Sequence, residues 1–113
     1  MELNKIQKLV YEEYIKNGYL EMFTVCGPNE YTKLQRLVDI AELGLIGTEE
    51  SEAIEDVRKL GYPMLLDKLG IELSDIIIRA LNIVSRKGID IEPVLLAKHM
   101  KNMSRGERHG KKI

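Results

Sequence analysis

The chain has almost no cysteine, almost no net charge and no long apolar run, and each shortage removes a class of function. A single cysteine, Cys26, rules out a disulfide within the chain and a cysteine-rich zinc site. It reads as a small, partly buried apolar residue rather than a nucleophile. Seventeen Lys and Arg against eighteen Asp and Glu leave a formal charge of −1, so no global field draws the molecule to nucleic acid or to an anionic membrane. No stretch approaches the roughly 20 apolar residues of a membrane span. No signal-peptide pattern opens the sequence, and a cytoplasmic protein is expected. Period-2 alternation, repeats and low-complexity segments are all missing.

What is present is helical punctuation. With 113 residues and a hydrophobic fraction of 44%, one domain with a small core is expected. Leu3, Ile6, Val10 and Tyr14 form an apolar stripe over residues 3–16, and Asn17-Gly18 stops it. Residues 18–30 read as a loop around Gly27-Pro28-Asn29. A long helix is expected over residues 30–60, ending at Gly61-Tyr62-Pro63; Gly44 and Gly47 within it imply a kink or a closely packed neighbour. A third helix starts at Met64 or Ile71 and runs to Lys87, with Gly88 as its stop. A fourth spans residues 91–105, capped by Asp90, with Pro93 tolerated in its first turn. The predicted fold is all-α, a four-helix bundle over residues 1–105 with a mobile basic tail at 106–113.

The third helix also speaks to assembly. Ile71, Leu73, Ile76, Ile77, Ile78, Ala80, Leu81, Ile83 and Val84 surround most of it, leaving Glu72, Asp75, Arg79, Asn82 and Arg86 as a polar stripe. At about 100° per residue those five fall within roughly 80° of arc. So narrow a stripe belongs to a mostly buried helix. One chain of four helices leaves part of it without cover, so an oligomer, first of all a dimer, is expected.

Chemistry is most concentrated in two acidic pairs, Glu49-x-x-Glu52 and Glu72-x-x-Asp75. A spacing of three places both carboxylates of a pair on one helical face. Four carboxylates converging from two packed helices would form a hard oxygen site suited to Mg²⁺ or Mn²⁺, and through it to a polyphosphate. The spacing alone is weak, because Asp39/Glu42 and Glu52/Glu55 repeat it and a solvated acidic face is the plainer reading. Context favours the site: Glu72 and Asp75 lie on the helix with least room for solvent, where acids need a counter-charge. Neither His99 nor His109 has a Glu three residues before it, which removes the di-iron pattern and leaves oxygen ligands.

A complementary basic face lies downstream. Lys98, Asn102 and Arg105 recur at i, i+4 and i+7 and offer a point charge, an amide and a planar fork for phosphate oxygens. An ordinary basic last turn that complements the helix dipole is the competing reading.

Taken together, three blocks resemble the MazG-like, all-α nucleoside triphosphate pyrophosphohydrolases. They are residues 45–59 around Glu49 and Glu52, residues 72–79 around Glu72 and Asp75, and the closing segment. That segment is Gly88-Ile89-Asp90, Lys98-x-x-x-Asn102-x-x-Arg105 and Arg108-His109-Gly110-Lys111-Lys112. The resemblance covers about residues 37–113. It implies Mg²⁺-dependent hydrolysis of an NTP or dNTP to the monophosphate and pyrophosphate by a homodimer or tetramer. It makes Glu49, Glu52, Glu72 and Asp75 metal ligands and sets Lys98 and Asn102 on the triphosphate, with Arg105 a weaker carry-over. Arg79 matches a recurrent residue. Glu52 or Glu55 is the expected proton acceptor, with Glu49 also in the catalytic set. The chain departs from the pattern at Glu50, where an aliphatic residue is usual, and at Gly47, where a larger one is common. It also has no tryptophan, so stacking on a base would fall to Tyr19, Phe23 or Tyr31. Two other classes stand beside this one. They are a helical dimer that binds a nucleotide or partner without turnover, and a nucleic-acid binder using the basic tail, which near-neutral charge disfavours.

Overall fold

A computed structural model describes residues 2–17 and 33–105, except the side chain of Leu34. The expected loop with Tyr19, Phe23 and Cys26, the start of the second helix before Lys33 including Tyr31, and the basic tail all lie outside those residues. The described residues form four helices and no strand: α1 (Leu3–Lys16), α2 (Lys33–Lys59), α3 (Met64–Arg86) and α4 (Ile91–Ser104). The fold is all-helical, and its described ends fall within a residue of the sequence punctuation. Of the two starts open for the third helix, Met64 is the one adopted.

The punctuation works through backbone accounting. At the end of α3, Gly88 takes φ 72°, where only glycine sits without strain. Its N–H donates to Ser85 C=O and that of Ile89 to Val84 C=O, both at 2.9 Å. This double bond pair satisfies carbonyls that the helix end would orphan. Two residues on, the Asp90 carboxylate accepts from Glu92 N–H and opens α4. Helix α1 has no side-chain cap of its own at Glu2; instead the Glu92 carboxylate of α4 accepts from Asn4 N–H at 2.9 Å. A negative group at that end also suits the helix dipole.

Packing is led by the antiparallel pair α2–α3, with α1 laid against α3 and α4 mainly against α1. Gln7 of α1 is buried and fastens the α3–α4 corner. Its Nε2 donates to Ser85 Oγ (2.9 Å) and Ile89 C=O (2.8 Å), and its Oε1 accepts from Ile91 N–H (3.1 Å).

One expectation about packing needs correction. Helix α2 continues through Gly44 and Gly47, and a Cβ at either would meet no atom within 4 Å. No neighbour among the described residues exploits their small size. The carbonyls of Gly44 and Gly47 instead accept from the hydroxyls of Thr48 and Ser51 on the next turn. Helix α3, as expected, is left partly without cover by the single chain. Its polar stripe faces α2, and Ile71, Leu73, Ile77 and Ile78 are left exposed. The apolar core of the described residues is confined to Tyr14, Val38, Ala53, Leu65 and Leu81. The radius of gyration is 17.0 Å, against about 13 Å for a compact domain of this length.

Candidate functional site

The seam between α2 and α3 is polar along its length. At one end, Arg86 is 5% exposed and lies between two acids of α2. Its Nη1 donates to Glu42 Oε2 at 2.6 Å and its Nη2 to Asp39, which Lys87 also engages. Glu42 further accepts from the Tyr14 hydroxyl of α1 at 2.7 Å. Burial, and then this bond to a carboxylate, push the Tyr14 hydroxyl well above its ordinary range. Tyr14 is therefore a fixed donor that ties three helices together. None of these ties shows in the spacing of the sequence, because each joins residues at least 28 positions apart.

Midway along the same seam lie the acids. Glu49 on α2 and Glu72 and Asp75 on α3 each bring a carboxylate oxygen within 4.8 Å of the others, and all three are half-buried. Helix geometry explains the meeting. Glu72 and Asp75 are one turn apart on the face of α3 turned to α2, and the antiparallel pairing sets Glu49 opposite them. Glu52 is the fourth expected ligand. It is exposed and does not join the tight three-oxygen group, but it flanks Glu72. The effect on Glu72 is direct: hydrogen bonding to Glu49, then desolvation and the nearness of Glu52, raise its carboxyl to about 7. Its Oε2 is buried without a hydrogen-bond partner. Gathered carboxylate oxygens, one of them orphaned, are donors of the type that a hard divalent cation accepts.

Two depressions flank the cluster. The first is lined by Thr48, Ser51, Glu52, Glu55, Asp56 and Glu72. Asp56 is a residue the sequence reading missed. Its Oδ2 is buried and unpartnered, and it follows Glu52 by four and Glu49 by seven, a same-face spacing that could have marked it. Glu55 reaches this depression but is committed to Arg58 (2.9 Å) and Lys59 (3.2 Å) on its own helix. The second depression is more enclosed and is lined by Tyr14, Glu42, Leu45, Asp75, Ile78, Arg79 and Asn82. Asn82 Oδ1 and Arg79 Nε are buried there without hydrogen-bond partners.

No family model matches this chain, and no curated protein or solved structure matches it. The assignment of chemistry therefore rests on its own residues. Arg79 Nη2 lies 3.3 Å from Glu49 Oε1, so the expected cation-binding set already touches a cation. Glu50 is exposed and borders an apolar groove with Ala53, Ile54, Val57, Leu73 and Ile76, away from the carboxylate group. The basic face of α4 is not brought to the acids. Lys98 and Arg105 are exposed and Asn102 half-buried, and among the described residues no hydrogen bond or ion pair joins them to the cluster. No helix of the described residues is long and apolar enough to cross a membrane.

Proposed function

We propose that the chain is a Mg²⁺-dependent nucleoside triphosphate pyrophosphohydrolase, with Mn²⁺ able to substitute, working as a homo-oligomer in the cytoplasm. The observation that carries this reading is the meeting of Glu49, Glu72 and Asp75 within 4.8 Å from two helices. Oxygen-only ligands at that spacing favour Mg²⁺ over zinc or iron. Bound there, the cation would screen phosphoryl charge and acidify water. Glu49, Glu72 and Asp75 would hold it, with Glu52 beside them as ligand or base. Glu52 is exposed and adjacent to Glu72, which suits it to accept the proton of the attacking water. In the reaction a new bond forms from the water oxygen to phosphorus and the anhydride bond breaks. The monophosphate and pyrophosphate leave as products, and the water's proton passes first to the carboxylate. The resemblance adds Lys98, Asn102 and Arg105 as phosphate ligands, although no hydrogen bond or ion pair among the described residues of the single chain joins them to the carboxylates.

The oligomer rests on the aliphatic side chains that one chain leaves uncovered, Ile71, Leu73, Ile77 and Ile78 of α3 among them. Large aliphatic side chains left in water favour association with a partner. The decisive experiment is pyrophosphate release from a panel of NTPs and dNTPs with Mg²⁺. Activity lost in Glu49→Gln and Asp75→Asn supports the reading. Nucleotide binding without turnover across the whole panel would replace it with a non-catalytic binding protein.

A further inference from the structure

Arg79 stands between the two parts of the site. It lies one turn after Asp75 on α3, it touches Glu49 of the acidic group, and it lines the enclosed depression with Tyr14, Glu42 and Asn82. Its pairing is incomplete. The contact to Glu49 is 3.3 Å, longer than the roughly 2.7–2.9 Å of a strong charge-assisted bond. The Nε–H, buried, has no acceptor. A guanidinium carries five donors in a fixed fork, and among the described residues this one has a single long contact. The side chain is also 38% exposed, so its head has room to turn. Glu42 does not compete for it, since that carboxylate is already held by Tyr14 and Arg86.

We infer that Arg79 is an exchangeable counterion for the metal site. It neutralises Glu49 while the cluster holds no cation. When Glu49 is committed to a divalent cation, Arg79 turns its fork to the oxygens of the triphosphate. This assignment rests on the metal-and-triphosphate reading above and deepens it. Its physical basis is competition. Arg79 and the cation seek the same carboxylate, so Arg79 opposes metal binding in the absence of a polyphosphate and favours polyphosphate once metal is bound. The two effects have opposite signs, which a merely structural arginine in the seam would not produce.

The test measures two affinities in the full chain by calorimetric titration. The first is Mn²⁺ alone, and the second is inorganic tripolyphosphate at saturating Mn²⁺, which removes any contribution from a base. In Arg79→Gln, Mn²⁺ alone should bind about 2–5-fold more tightly, the range expected for losing a partly exposed ion pair. Tripolyphosphate should bind roughly 10–100-fold more weakly, as expected for losing charged hydrogen bonds. Arg79→Lys, which keeps the charge without the fork, should hold Mn²⁺ as the parent does and bind tripolyphosphate with intermediate affinity. Loss of both affinities in Arg79→Gln, with Arg79→Lys restoring both, would reduce Arg79 to a packing residue and overturn the inference. Unchanged Mn²⁺ affinity in Arg79→Gln also overturns it. If the parent chain takes up no Mn²⁺, the metal reading itself fails and the inference falls with it.

Discussion

Magnesium should raise the melting temperature, and the size of the rise should depend on pH in a way set by Glu72. A ligand that binds only the folded state at 100 times its Kd stabilises it by about 2.7 kcal/mol. For 113 residues, an unfolding entropy of about 2.1 cal/mol/K per residue gives roughly 0.24 kcal/mol/K, so Tm should rise by about 11 °C. That holds at pH 8, where Glu72 is ionised and ready to bind. With its carboxyl raised to about 7 by Glu49 and Glu52, only about one molecule in 30 has Glu72 ionised at pH 5.5. The cation must then displace a proton, and apparent affinity falls about 30-fold. The same Mg²⁺ concentration should then lift Tm by only about 3–4 °C. The metal-free protein should move the other way. A carboxyl whose folded pKa is raised holds its proton more tightly when folded. On this group's account, stability is full below pH 4.5, falls as pH climbs toward 7, and is flat above. Differential scanning fluorimetry at both pH values, with and without Mg²⁺, measures all four quantities. The parent chain is compared with Glu72→Gln, which should lose both the Mg²⁺ response and this pH dependence. Equal Mg²⁺ shifts at pH 5.5 and 8, or an undiminished shift in Glu72→Gln, would refute the placement of the cation on this carboxylate cluster.

The remaining predictions concern the frame that holds the cluster. Arg86→Met leaves Asp39 and Glu42 buried beside an uncharged side chain and should cost about 3–5 kcal/mol in chemical denaturation; adding Asp39→Asn and Glu42→Gln should recover part of it, and no recovery would argue against the ion network. Gln7→Leu strands the polar groups of Ser85, Ile89 and Ile91. It should cost about 1–3 kcal/mol and speed amide exchange at Ile91, while unchanged exchange would mean the corner is held by something else. Gly88→Ala forces an L side chain to φ 72° and should cost about 1 kcal/mol, read from the urea midpoint; a neutral result would show that the turn relaxes.

Helix ends were legible because they are local decisions. Gly88, Asp90 and the Gly61-Tyr62-Pro63 turn each act on backbone groups a few residues away; α2 and α3 end, and α4 begins and ends, within a residue of where those signals put them, while the start of α3 was left open between Met64 and Ile71. The acidic pairs were legible for the same reason, since a spacing of three fixes a shared face before any tertiary contact forms. What joins them was not. Nothing in the chain indicates that Arg86 pairs with Asp39 and Glu42 across 47 and 44 positions, or that Gln7 would be spent on the α3–α4 corner. Asp56 is the instructive intermediate case. Its spacing from Glu49 and Glu52 was available, but burial of its Oδ2 beside Glu72 depends on how closely α3 approaches, which periodicity does not encode.

The orientation of α3 links the site to assembly. A lone helix with a narrow polar stripe lowers its free energy by turning that stripe to water and its aliphatic residues inward. Here the stripe turns to α2 instead, where Asp39, Glu42 and Glu49 meet Arg79 and Arg86. The choice is costly twice over. Charges leave water for a seam where their mutual attraction does little more than offset desolvation, and large aliphatic side chains, Ile71 and Ile77 among them, stay more than half exposed. Burying the part of each that is still exposed would return about 1–2 kcal/mol. The five apolar side chains of the single-chain core give little reserve against this. A sequence that simply maximised the stability of one chain would not keep acids at 49, 72 and 75 in that seam. The arrangement becomes economical if the uncovered aliphatic face is closed by a second copy and the acids are closed by a cation. The same rotation of α3 that assembles the carboxylates therefore leaves aliphatic residues such as Ile71 and Ile77 exposed, which is why the proposed oligomer and the proposed cation site stand or fall on one helix orientation.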